Sequence, residues 1–261
     1  MIIFQIMEIQ EFEDKIIDDW TWRKREVSDL ILFAEKEENI VLLKSIILLL
    51  YAHWEGYIKK CAKTYLKYIC EHKYRLSDLT ENFKAAALKG VTAEIIKSSN
   101  TLTLENEISF IKKFSKIDSH TIDIHLNIDL DDEKDKNIIN TQDNLTPKVF
   151  KNILRIIGLE YKKQYESKEI FISSYLLSNR NSIGHGNKEL FKDDKFEFEI
   201  KSLKKLRDVT IIIIENFRDE LIDFAREQVF LKANTDKADK IINRFENKLK
   251  TEFETVDRYY Q

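Results

Sequence analysis

The chain has 261 residues, 43% of them apolar and 34% charged, with a formal net charge of −3. That length and apolar content supply a buried core for one large domain or two small ones, and the small net charge excludes a global positive field, so any nucleic-acid contact has to come from local patches. One proline and five glycines leave few helix breakers, which predicts a mainly α protein.

The first twenty residues are acidic and their apolar positions interrupted, the opposite of a secretory signal. The longest uncharged apolar run, residues 46–52, is far short of the ~20 needed to span a bilayer. Cys61 and Cys70 fall within one predicted helix, so no disulfide framework is expected. The expected setting is cytoplasmic, away from the membrane.

Phe12, Ile16, Trp20, Val27, Leu30 and Ile31 recur at helical spacing over 9–36 and predict an amphipathic helix. Leu43, Ile47, Leu50, Trp54, Tyr57, Cys61, Tyr65 and Tyr68 do the same over 40–72, where the run at 46–52 widens the apolar face almost all round. This is the expected central helix, its aromatics serving as core or dimer contacts. Shorter helices follow at 81–97 and 104–116. In residues 121–130 the period changes to two: Ile122, Ile124, Leu126, Ile128 and Leu130 alternate with Asp123, His125, Asn127 and Asp129. That pattern predicts a strand, and FEFEI at 196–200 is its expected partner in a small two-stranded element. Residues 131–144 read as a polar surface loop. Pro147 suits a first helical turn, opening helices at 148–157 and 167–183. A long helix at 202–231 and a charged C-terminal helix complete the chain.

Residues 176–186, LLSNRNSIGHG, set Arg180 and His185 five positions apart with Asn181 after the arginine. Chance alone yields about 0.2 Arg-x4-His pairs in this composition, and the added Asn lowers that to about one in a hundred. Two readings compete: cations favoured by the dipole at a helix C-terminus, or a site. The side chains suit proton transfer beside an anionic group. Histidine titrates near neutrality and moves protons, while arginine presents a permanent planar fork to phosphate oxygens.

The segment Leu176-Leu177-x-x-Arg180-Asn181-x-Ile183-x-His185-Gly186 resembles the R-N-x-x-x-H signature of HEPN ribonucleases, an all-helical superfamily of bacterial toxin, abortive-infection and CRISPR-linked defence systems. Residues 48–69 and 144–159 are similar to segments of its MAE-type branch, so the resemblance covers about 40–190. Gly184 stands where the family pattern usually has Ala. The resemblance implies a HEPN-like helical bundle but assigns nothing in 191–261; with the apolar periodicity, the expected domain spans 1–232, with 120–145 an inserted strand and loop, followed by a charged helix at 233–261. It implies a homodimer that opposes two motifs, and a metal-independent endoribonuclease with Arg180 on the phosphate, His185 in proton transfer and Asn181 orienting either. RNA is the expected substrate and no cofactor is implied. A toxin or effector role, with a cognate antitoxin protein, goes with the family. The alternative is a noncatalytic HEPN module that binds RNA, nucleotide or a protein partner.

Glu55 is a supporting candidate that would position Arg180, or else an ordinary helix pair with Lys59. Asp123, His125, Asn127 and Asp129 carry oxygen and imidazole groups two apart, a pattern able to hold a metal but more often simply solvated. Basic clusters at 59–63, 111–116 and 201–207 could track an RNA backbone. His53, His72 and His120 show no ligand spacing.

Overall fold

The computed structural model describes residues 6–37, 39–98, 104–126, 128–130, 138–187, 190 and 197–261. Helix α1 (Ile9–Glu37) and helix α2 (Ile40–Glu71) form an antiparallel pair, joined where the Asn39 side chain accepts a hydrogen bond from the Val41 N–H and so caps α2. The apolar width of α2 is spent on neighbours: it packs against α1, α5 (Pro147–Ile157), α7 (Ser178–Gly184) and α8 (Ile200–Arg226). Trp54, Tyr57, Tyr65 and Tyr68 are all buried in the core. Two of their polar tips are satisfied by backbone, as buried donors require: Trp54 Nε1 donates to the Leu145 carbonyl at 3.0 Å and the Tyr57 hydroxyl to the Ile16 carbonyl at 2.8 Å.

Helices α3 (Glu81–Ser98) and α4 (Glu105–Lys116) pack on each other, and α3 also on α5. Pro147 does occupy the first turn of α5, capped by Thr146, and Gly158 ends that helix at φ +83°. The next helix is continuous but not uniform. Lys163–Phe171 (α6) runs into a π-helical stretch, Ile172–Leu177, before α7 resumes ordinary winding. Helix α9 (Ala238–Tyr259) buries Ile241, Phe245, Leu249 and Phe253 against α8 and α6. Under that contact Lys162 and Glu220 form a fully buried ion pair, in which burial raises the Glu220 carboxyl above its usual range despite the lysine.

Among the described residues the two-stranded element is not formed. Thr121 makes one isolated bridge with Arg75, Ile122–Ile124 wind into a 3-10 turn, and the Leu126 N–H bonds back to the Ile122 carbonyl. Ile122, Leu126 and Ile128 are buried, but Ile124 is 64% exposed, so the alternation has no continuous buried face to serve. Of the predicted partner, Phe196 lies outside the described residues, 197–199 are irregular, and Ile200 already opens α8. Residues 131–137 of the expected loop also lie outside. Within 138–144 the chain is not all surface, because Ile139 and Thr141 are buried.

Candidate functional site

The motif sits where the long helix ends. A π-turn widens a helix by an extra residue, at a cost in packing that marks such turns as features of functional sites. Here the Ser178 N–H reaches the Ser173 carbonyl, five residues back. One turn later Arg180 is half-buried, and its guanidinium carbon lies 4.3 Å from the centre of the Tyr51 ring on α2. Cation–π contact of this kind fixes the plane of the guanidinium. Nη1 donates to Asn181 Oδ1 at 2.9 Å and Nη2 to the Asp143 carbonyl at 3.5 Å. Both acceptors are uncharged oxygens, so the fork is oriented without its charge being neutralised by them.

Tyr51 is itself pinned. Its hydroxyl accepts the Leu145 N–H at 3.0 Å and hydrogen-bonds Glu55, one turn along α2. Burial, opposed by the Leu145 contact and reinforced by Glu55, pushes the phenol up to about 12. Glu55 therefore reaches Arg180 through the ring the arginine lies on.

His185 occupies the C-cap of α7, with its N–H bonded to the Asn181 carbonyl at 3.0 Å. Gly186 follows at φ +72°, and the Asn187 N–H closes on the Ser182 carbonyl at 2.9 Å, the left-handed ending that glycine permits. Residues 184–187 are all exposed. The structure thus places Arg180, Asn181, Tyr51 and Glu55 in one chain of contacts and leaves the His185 side chain at the surface beyond them. Tyr51 and the Asp143 carbonyl escaped the sequence, in which Tyr51 is one more apolar letter of a core helix.

The other sequence candidates separate from this site. His125 Nε2 lies 2.9 Å from His120 Nδ1, their rings stacked, a pairing that spacing did not suggest. Among the described residues no three His, Cys, Asp or Glu side chains gather as a metal-ligand group; Asn127 lies outside them. In the basic cluster at 59–63, Lys60 pairs with Asp19 at 2.8 Å and the buried Lys63 donates to the Asp129 carbonyl at 3.2 Å. Lys204, Lys205 and Arg207 likewise meet Glu35, Asp257 and Asp208. Lys112, Lys113 and Lys116 on α4 are exposed.

Searches among curated proteins and among solved structures find no significant match. A family model described as MAE_28990-like HEPN matches residues 12–230, from the first turn of α1 to just past α8. With more than half of the chain matched and a mainly helical bundle beneath it, the chain belongs to the MAE_28990-like HEPN family of the HEPN superfamily.

Proposed function

We propose that this chain is a metal-independent endoribonuclease, acting as a cytoplasmic toxin or effector in a bacterial toxin–antitoxin or antiviral system. The observation that carries the reading is the setting of Arg180: a guanidinium laid on Tyr51 and steered by uncharged oxygens, its charge left for a phosphate. Preorganised positive charge at the phosphorane is the main electrostatic requirement of the cleavage. Asn181 holds the fork, and His185 moves the proton of the 2′-hydroxyl or of the leaving 5′-oxygen.

One imidazole does not easily face both oxygens of an in-line displacement. A second copy of the chain supplies the other imidazole if two motifs meet across a two-fold axis, and the exposure of 184–187 leaves them accessible for that meeting. Because the nucleophile belongs to the RNA, cleavage is expected to persist in excess EDTA, to leave 2′,3′-cyclic phosphate or 3′-phosphate ends, and to fail at a 2′-deoxy nucleotide. Metal-dependent cleavage that leaves 5′-phosphate ends would refute the mechanism. RNA binding without cleavage, unchanged in Arg180→Ala and His185→Ala, would favour a noncatalytic module.

A further inference from the structure

Among the described residues four that are not glycine have a left-handed backbone: Lys73, Gln142, Asp143 and Gln228. Lys73 and Gln228 directly follow the C-caps of α2 and α8, where that conformation is an ordinary helix ending. Gln142 and Asp143 have no such excuse, because residues 138–141 ahead of them are irregular. They lie side by side at φ +57° each, the central pair of a tight turn closed by the Asn144 N–H on the Thr141 carbonyl at 3.1 Å. Turns with two positive φ values are dominated by Gly, Asn and Asp. Gln142 is none of these, so strain is retained where a glycine would remove it, and strain of that kind persists where the surroundings impose it.

The surroundings do impose it. Asn140 Oδ1 accepts the Gln142 N–H at 2.7 Å, and Ile139 and Thr141 are buried ahead of the turn. Behind it Leu145 is buried and clipped to α2 by both backbone groups, its N–H on the Tyr51 hydroxyl and its carbonyl on Trp54 Nε1, each at 3.0 Å. Between these anchors the Asp143 carbonyl meets Arg180 Nη2 at 3.5 Å. So long a bond is weak, and it steers a guanidinium only if the acceptor is fixed beforehand. A carbonyl points where its own residue's backbone sends it, so leaving the left-handed region would swing this one away. Tyr51 ties the two parts together, since the ring under Arg180 carries the hydroxyl that holds Leu145. We propose that Asp143 is a positioning residue for Arg180, acting through its left-handed backbone, which aims its carbonyl at Nη2 and fixes the plane of the fork that meets the phosphate. The role in cleavage rests on the ribonuclease reading above; the orientation of Arg180 is measurable without it.

The test uses the full chain with Asp143→Val, Asp143→Ala, Asp143→Gly and Asp143→Asn, each checked for the parent's melting curve. Two readings are taken: the ¹⁵N signals of the Arg180 guanidinium, assigned by their loss in Arg180→Ala, and kcat and KM for RNA cleavage. A held guanidinium keeps its Nη1 and Nη2 signals apart. Valine at positive φ is a genuine outlier, so Asp143→Val should merge the two signals and lower kcat about tenfold while KM stays within about twofold. Asp143→Ala should move both readings the same way by less, which keeps the test alive if the valine variant does not fold. Asp143→Gly and Asp143→Asn, the conservative changes at a left-handed position, should rescue both. The proposal is overturned if folded Asp143→Val or Asp143→Ala keeps the signals apart or cleaves at the parent's kcat. It is equally overturned if Asp143→Gly merges them as valine does, which would put the effect in the carboxylate. A parent chain that shows this signal pattern but cleaves no RNA would sink the ribonuclease reading and leave the positioning of Arg180 standing.

Discussion

Arg23 on α1 and Arg180 on α7 both reach α2, where one meets His53 and the other the Tyr51 ring, and the two groupings differ in how the arginine's charge is met. Arg23, 4.6 Å over the Trp22 ring, gives Nε to the buried Asp19 at 2.7 Å and Nη1 to His53 Nδ1 at 3.3 Å. Gly56 makes room for it, since a Cβ there would lie 3.1 Å from Nη1. Because Nδ1 accepts, His53 is neutral and donates from Nε2 to Glu26 at 2.8 Å. Arg180 is likewise laid on an aromatic ring, but its acceptors are an amide and a carbonyl, and its histidine is exposed. The first grouping closes its charges on one another. The second holds its arginine on uncharged acceptors; in the function proposed above, the phosphate of an RNA completes it.

Breaking the second grouping should produce the largest effect. Arg180→Ala and His185→Ala are each expected to cut RNA cleavage about a hundredfold or more and to relieve any growth arrest on expression, with an unchanged circular-dichroism melting curve. Arg180→Lys should also impair cleavage, because a point charge does not reproduce a planar fork. Full activity in these variants would remove the site from the motif. Breaking the first grouping should do the reverse. Arg23→Ala leaves Asp19 with Lys60 alone and is expected to cost about 2–3 kcal/mol on denaturant unfolding, while the folded fraction still cleaves.

Acid should sharpen the contrast further. His53 is held below the usual imidazole range by burial and then by Arg23, and His125 by burial, His120 and Lys113. Protonation is therefore harder in the folded chain than in the unfolded one. The stability these groups contribute is complete above about pH 6.5 and is lost as the pH falls below it. Melting temperature should drop between about pH 7.5 and 5.5, and less steeply in His53→Gln; identical slopes would show that His53 does not report acid. The smallest expected effect is at Gly184, where a Cβ would meet nothing within 4 Å. Gly184→Ala should stabilise the chain by up to about 1 kcal/mol and leave cleavage intact.

What the sequence revealed follows from how local each feature is. Helices with a 3.6-residue apolar period, such as α1, α2 and α8, were readable to within a residue or two at most ends, because a buried stripe fixes them. Residues 121–130 were not. Their twofold alternation is the same whether every second side chain is buried or only Ile122, Leu126 and Ile128 are, and the hydrogen bonds that decide it, Ile122 N–H to the Tyr74 carbonyl and Leu76 N–H to the His120 carbonyl, join distant segments. Arg180, Asn181 and His185 were legible because their spacing lies in one turn and a half. Tyr51 beneath the arginine was not, since that contact depends on where α7 crosses α2.

The π-helical stretch Ile172–Leu177 bears on how such motifs are to be recognised. Each residue turns an α-helix by about 100°, so the same residues wound as an ordinary α-helix, with no extra residue taken up by the wide turn, would leave everything after them rotated by roughly that angle. Arg180 would swing off the Tyr51 ring although every letter of the motif survived. A family signature is thus a necessary spelling, whereas the site is a matter of phase, set upstream by six residues that carry none of the chemistry.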